Sequence, residues 1–390
     1  MKSTVTLVLA AASLPLARAA GYNLLQNWQG NTFFDNWSFY GNFDNLTNGD
    51  AVFVTQAVAQ SEPQLAFING AGNAIVRVDN ASNVVYPNKR NTVRLQSLQS
   101  YGIGSLWVMD AVHLPYGCSV WPAFWSQAAK WPEGAEIDTL ENVNLAQANQ
   151  MALHTVDGCT VTSSAAMTGS LTDQDCGTEL PTKTQGCTVL DSNSASYGAA
   201  FAAAGGGVYA TLLAESGVYI WFFPRASIPS DLSVSNANSS PNPDGWGEPA
   251  AYYPSSTCAT STFFEPQFII LDITLCGDFA GALTVYNQTC GPIPSDAPTN
   301  YCYTTNVIGN GTNYDQAYFE VQYIRVWSNT TTNSSSTGNS STGGSGGSSG
   351  GSSSGSSGGT GKSSAVPLLT QGAALAAAFL GMIGALALLV

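Results

Sequence analysis

Three carboxylates, Glu136, Asp138 and Glu141, stand at Glu-x-Asp-x-x-Glu spacing in a chain of 390 residues of which only 9% are charged. Side chains two apart on a strand share a face, so Glu136 and Asp138 point together while Glu141 of a regular strand points away. One extra residue between Asp138 and Glu141, a β-bulge, resets the phase and turns all three to one face. Glutamates brought to ~5–5.5 Å on such a face form the pair used in retaining glycosidic chemistry, one as nucleophile, the other as acid and then base. The competing reading is a half-exposed strand with a solvated acidic face and Ile137 and Leu140 turned inward. Context favours the chemistry, because Trp121, Trp125 and Trp131 crowd just ahead of the carboxylates and indole faces suit stacking on sugar rings.

The elements that must position these groups read as strands. Short β-branched and aromatic runs bounded by Gly, Asn, Pro and Ser dominate, and helical periodicity is scarce. The clearest are residues 73–78, 105–112, 217–223, 267–273 and 317–327. The last alternates and then stops, which sets the end of the folded region near Ser328. Residues 21–328 are long for one domain but acceptable for an all-β sandwich. The segments 158–187 and 235–262 read as long surface loops held by disulfides.

Both ends point to the cell exterior. Lys2, an apolar run from Val5 to Leu16 and the small-residue pattern Ala17-Arg18-Ala19 read as a secretory signal over residues 1–20. Cysteines 118, 159, 176, 187, 258, 276, 290 and 302 are then expected to form disulfides, in pairings that spacing leaves open. Without paired Cys-x-x-Cys units, and with only His113 and His154, a zinc site is not expected and no metal or cofactor is assigned. Sequons at Asn36, Asn45, Asn80, Asn238, Asn287, Asn310, Asn329, Asn333 and Asn339 fit the same route. The formal net charge of −14 argues against a nucleic-acid partner. Residues 329–364, almost entirely Ser, Thr, Gly and Asn, cannot bury enough apolar surface to fold and read as a stalk. Small residues near Ser354–Ser363 followed by an apolar tail within 365–390, with no basic cluster after it, match a signal for a glycosylphosphatidylinositol anchor, the tail being removed. The expectation is a monomer at the cell surface or wall, held to the outer leaflet by lipid. A tail-anchored membrane protein is the alternative.

Val120-Trp121-Pro122-Ala123-Phe124-Trp125, Glu136-Ile137-Asp138-Thr139-Leu140-Glu141-Asn142 and Met151-Ala152-Leu153-His154-Thr155 resemble, in order and spacing, fungal enzymes of glycoside hydrolase family 16, nearest the laminarinase-type endo-β-1,3(4)-glucanases. Similarity extends from Phe33-Phe34-Asp35-Asn36-Trp37 through Arg94-Leu95-Gln96-Ser97 and Pro243-Asp244-Gly245-Trp246-Gly247 to the final strand. The resemblance implies a jelly-roll sandwich of two antiparallel sheets with a concave substrate cleft. It matches Glu136 to the nucleophile, Glu141 to the acid/base and Asp138 to the carboxyl between them. It matches His154 to a histidine contacting this cluster, and it suggests that Arg94, Trp125, Trp131 and Trp246 line the cleft. Ala135 departs from the glycine that many relatives carry before the nucleophile, and Thr139 is expected to face away from the cleft. The implied activity is hydrolysis of β-1,3-glucan or mixed-linkage β-1,3/1,4-glucan with retained configuration. A wall-remodelling transglycosylase and a non-catalytic carbohydrate-binding wall protein are the alternatives.

Overall fold

In a computed structural model of the chain, residues 21–178 and 185–330 are described. The expected signal, most of the stalk and the hydrophobic tail lie outside the described residues. Two eight-stranded antiparallel sheets dominate. The first runs, in spatial order, Ser170–Leu171, Cys187–Leu190, Gln150–His154, Glu136–Glu141, Val120–Gln127, Gln267–Leu275, Arg94–Tyr101 and Trp37–Phe39. The second has Ala251–Pro254, Gly217–Pro224, Gly207–Ala214, Ser105–His113, Tyr318–Ser328, Ala74–Arg77 and Ala66–Ile68, with Asn23–Gln29 also on Tyr318–Ser328. A small third sheet joins Asn42–Phe43, Ala51–Phe53 and Arg90–Thr92.

Alternation along each strand explains the stacking. Leu95, Phe124, Ile137, Leu153, Val189 and Leu271 of the first sheet share one buried apolar cluster with Trp107, Met109, Tyr209, Leu213, Ile220 and Val326 of the second. Fully burying a side chain of this size contributes about 1.5–3 kcal/mol, so this layer supplies much of the driving force. The intervening residues of the second sheet, among them Leu106, Val108, Val208, Trp221, Phe223 and Trp327, form a separate buried cluster on its outer face. That sheet is covered on both faces, which is why residues 105–112 and 217–223 read as nearly continuous apolar runs.

Disulfides join Cys118 to Cys290, Cys159 to Cys258, Cys176 to Cys187 and Cys276 to Cys302. The Cys159–Cys258 bridge ties the two expected loops to each other. The second of them is not all loop: Ala251–Pro254 pairs as an edge strand with Gly217–Pro224. Flanking prolines disguise it in the sequence, and an edge position tolerates them.

Candidate active site

The bulge is present and its extra residue is Thr139. Across one ladder Trp125 lies opposite Asp138 and Phe124 opposite Leu140; across the other, Asp138 faces Ala152 and Glu141 faces Gln150. Ile137, Thr139 and Leu140 are therefore all turned to the core, and the Thr139 hydroxyl meets the Thr211 hydroxyl of the second sheet. Glu136, Asp138 and Glu141 are left on the opposite, concave face. A bulge disrupts its ladder and frees backbone groups that must find partners elsewhere. Asn149, fully buried, supplies both: its Nδ2 donates to the Thr139 carbonyl at 2.9 Å and its Oδ1 accepts from the Glu141 N–H at 3.0 Å.

A tight turn leads into the strand. Gly134 (φ 75°) and Ala135 (φ 69°) both lie in the left-handed region. A Cβ at Gly134 would stand 2.6 Å from Ala128 Cβ and 2.9 Å from Glu265 Cβ, so glycine is required there. Ala135 occupies its conformation at a steric cost of about 1–2 kcal/mol. The turn folds Trp131, 50% exposed, back over the site, where its indole N–H donates to Glu136 Oε2.

Electrostatics distinguish the three carboxyls. Asp138, 1% exposed, is held well above the ordinary carboxylate range by burial first, then by the charge of Glu136 and a hydrogen bond shared with it. A protonated Asp138 thus donates to Glu136. His154 lies opposite Glu136 in the neighbouring strand and brings Nε2 to 3.1 Å from Asp138 Oδ2. Glu141, half-buried, is pushed up to about 8 by burial and then by Asp138, against the lowering effect of the Trp121 indole N–H, which donates to its Oε1 at 2.7 Å. Around neutrality Glu141 carries a proton it can give away. Ligand atoms of Glu136, Asp138 and His154 lie within 4.8 Å of one another, the spacing at which a cation could be held. Proton sharing between the two acids accounts for the same closeness.

Arg94 and Trp125 share this face. Arg94, almost fully buried, pairs with Asp272 at 3.1 Å, its guanidinium lies 4.8 Å over the Trp125 ring, and the Trp125 indole N–H donates to Asp272 at 2.9 Å. Trp246 does not belong with them. It packs edge-on against Trp221 and Phe223 on the outer face of the second sheet and donates to Asp231. Both sheets separate it from Glu136. Its Pro- and Gly-rich surroundings read as an open loop, whereas that loop folds down to cover apolar side chains. His113 is structural, stacked on Tyr318 with Nδ1 at 2.8 Å from the Tyr318 carbonyl.

Two residues of the site, Asp272 and Asn149, are not singled out by the sequence, and Trp121 is named there only as one of the tryptophans ahead of the carboxylates, with no contact to Glu141 assigned. Trp121 was legible in principle, since it shares strand parity with Trp125. Asp272 sits in a run that otherwise reads as a buried strand, and a lone acid there was a signal. Asn149, in a polar turn, carried none.

Over residues 37–327 the sequence matches the family model described as XgeA-like, catalytic GH16 domain. It is 36% identical over 323 residues to a probable endo-1,3(4)-beta-glucanase of Neosartorya fischeri, covering 82% of this chain and 48% of the relative. The chain thus spans about half the length of that relative. Laminarinase 16A from Phanerochaete chrysosporium, solved with beta-glucans in donor and acceptor sites, is 32% identical with a TM-score of 0.71, covering 78% of this chain and 99% of that one. An elongating GH family 16 beta-1,3-glucosyltransferase is also 32% identical, with a TM-score of 0.72, covering 79% of this chain and 100% of that one.

Proposed function

The chain belongs to glycoside hydrolase family 16, and from that premise we propose that it is a retaining endo-glycosidase acting on β-1,3-glucan or mixed-linkage β-1,3/1,4-glucan. The observation that carries the proposal is the bulge at Thr139, which turns Glu136 and Glu141 to one face with a buried acid between them. Glu136 attacks the anomeric carbon while Glu141 protonates the departing glycosidic oxygen, leaving a glycosyl-enzyme ester on Glu136. Glu141, now ionised, removes a proton from water, which attacks the same carbon and releases Glu136. Two inversions give net retention. Asp138 gives a hydrogen bond to Glu136 and the Trp131 indole gives a second; both restrain the attacking carboxylate. His154 holds Asp138 in place.

Digestion of laminarin, lichenan, branched β-1,3/1,6-glucan and chitin oligomers side by side tests substrate class. Proton NMR of the first product tests stereochemistry. The β-anomer is expected to appear first, and Glu136→Ala with azide is expected to yield the α-glycosyl azide. Release of the α-anomer first, or no product above the Glu136→Ala background, would overturn the reading.

Transglycosylation is the second reading, favoured by the similarity to the elongating glucosyltransferase. The same ester is then resolved by a sugar hydroxyl instead of water. Products longer than the donor in concentrated oligosaccharide would support it.

We also propose that the protein is secreted and lipid-anchored at the cell surface. Four disulfides in the folded region favour an oxidising compartment. Release from intact cells by phosphatidylinositol-specific phospholipase C is the expected result; retention would favour a spanning tail.

A further inference from the structure

The turn that carries Trp131 and opens onto Glu136 is tied down from beneath the sheet as well as within itself. Its own bonds run from the Ala135 N–H to the Pro132 carbonyl at 3.0 Å and from the Ala128 N–H to the Ala135 carbonyl at 3.1 Å. The Gly134 carbonyl is held from another strand. It accepts from the Glu265 N–H at 3.1 Å and from Gln267 Nε2 at 2.8 Å. Gln267 Nε2 gives its other hydrogen to the Glu265 carbonyl at 2.8 Å, and Gln267 Oε1 accepts from the Ser126 hydroxyl at 3.1 Å. Both Gln267 and Ser126 are fully buried. They lie on the core side of the sheet, since Gln267 alternates with Ile269 and Leu271 and Ser126 with Phe124. One amide thus joins the turn, the strand Val120–Gln127 and the approach to the strand Gln267–Leu275 without facing the cleft.

The chemistry of the side chain fits this place. Two donors on one nitrogen and an acceptor two bonds away are what the two carbonyls and the hydroxyl require, and an ionised glutamate offers no donor at all. The turn needs such an anchor. Gly134 and Ala135 both hold left-handed backbone, and Ala135 keeps that conformation only where its surroundings determine it. Trp131 is 50% exposed, so packing does little to fix its indole, and its direction comes from the backbone three residues before Gly134. That indole N–H donates to Glu136 Oε2, and Glu136 follows Gly134 by two residues. A displacement of Gly134 therefore disturbs the meeting of donor and nucleophile.

Resting on the glucan-cleaving reading above, we propose that Gln267 is a positioning residue: it anchors the Gly134 turn from the core side and so sets how the Trp131 indole meets Glu136. The test measures kcat and KM on laminarin for the native protein, Gln267→Met, Trp131→Phe and the double variant. Methionine keeps the length of the side chain and removes its hydrogen bonds. A misplacement of about 1 Å can cost up to about 100-fold in rate, and Gln267→Met is expected to lose at least about tenfold in kcat with KM changed less than about twofold. In the Trp131→Phe background the same substitution is expected to cost several-fold less, because the contact it disturbs is already gone. Native kcat in Gln267→Met, or the same factor lost in both backgrounds, overturns the proposal; equal factors are what a general loosening of the fold produces. Should Gln267→Met not fold, Ser126→Ala removes the hydroxyl that orients the amide, and a smaller fall in kcat that vanishes beside Trp131→Phe is expected. A folded Ser126→Ala with native kcat then refutes it. A native protein that cleaves no glucan would instead bring down the functional reading, and this proposal with it.

Discussion

Replacing Asn149 by alanine removes at one stroke both hydrogen bonds that satisfy the bulge. The Thr139 carbonyl loses its donor at 2.9 Å and the Glu141 N–H its acceptor at 3.0 Å. Asn149 is fully buried, so water does not reach these groups without opening the structure. An unsatisfied buried backbone group costs about 1–3 kcal/mol, and two of them about 3–4 kcal/mol with partial relaxation. Urea denaturation with the disulfides intact is expected to show that loss. The catalytic consequence is separate, because the bulge alone keeps Glu141 on the face of Glu136. A shift in Glu141 is expected to lower kcat at least tenfold, ~1.4 kcal/mol of barrier, with KM for laminarin nearly unchanged. Asn149→Asp keeps an acceptor for Glu141 but loses the donor to Thr139, so its stability is expected to fall between the two. Its added charge is expected to raise Glu141 further and move the alkaline limb of activity to higher pH. The reasoning is refuted if Asn149→Ala loses less than about 1 kcal/mol and keeps native kcat.

Trp121→Phe removes a donor that favours ionised Glu141; at the lower end of charged hydrogen bonds, ~1.5 kcal/mol, the alkaline limb of kcat/KM is expected to rise by about one pH unit from about 8. A fall or no movement in that limb counts against the assigned role. Glu141→Gln abolishes cleavage but is expected to stabilise the fold in a pH-dependent way. Glu141 binds its proton more tightly folded than unfolded, so its contribution is intact below pH ~4.3 and is lost as pH rises through about 8. The gain in the variant is thus close to nothing at pH 4 and about 3 kcal/mol at pH 7, read from thermal melts; equal gains at both would refute it. Ala135→Gly trades a buried methyl for relief of the left-handed strain, and urea denaturation is expected to place it within about 1 kcal/mol of native, unlike a comparable change in a regular strand.

The sequence by itself determined the class of fold, the carboxylate triplet and the need for a bulge, because all three follow from local periodicity. A side-chain repeat of two residues shows where strands lie, and a three-residue gap between acids shows where that repeat must break. Tryptophans beside those acids gave the chemistry its direction. Tertiary structure decided which residue the bulge expels, since the choice of Thr139 rests on registers against strands near Trp125 and Ala152. It also decided what holds the bulge, for Asn149 acts through contacts that its own neighbours in sequence do not reveal. Trp246, expected in the cleft, lies on the outer face of the other sheet for the same reason, whereas Trp121 lies at the site. Whether an indole faces a cleft or a core depends on what folds against it. A Pro-Gly-rich loop that closes over an apolar sheet face packs Trp246, half-buried, against it, while strand parity brings Trp121 to Glu141. The proton on Glu141 likewise belongs to the assembled site, because burial and the nearby Asp138 exist only once the sheets have packed.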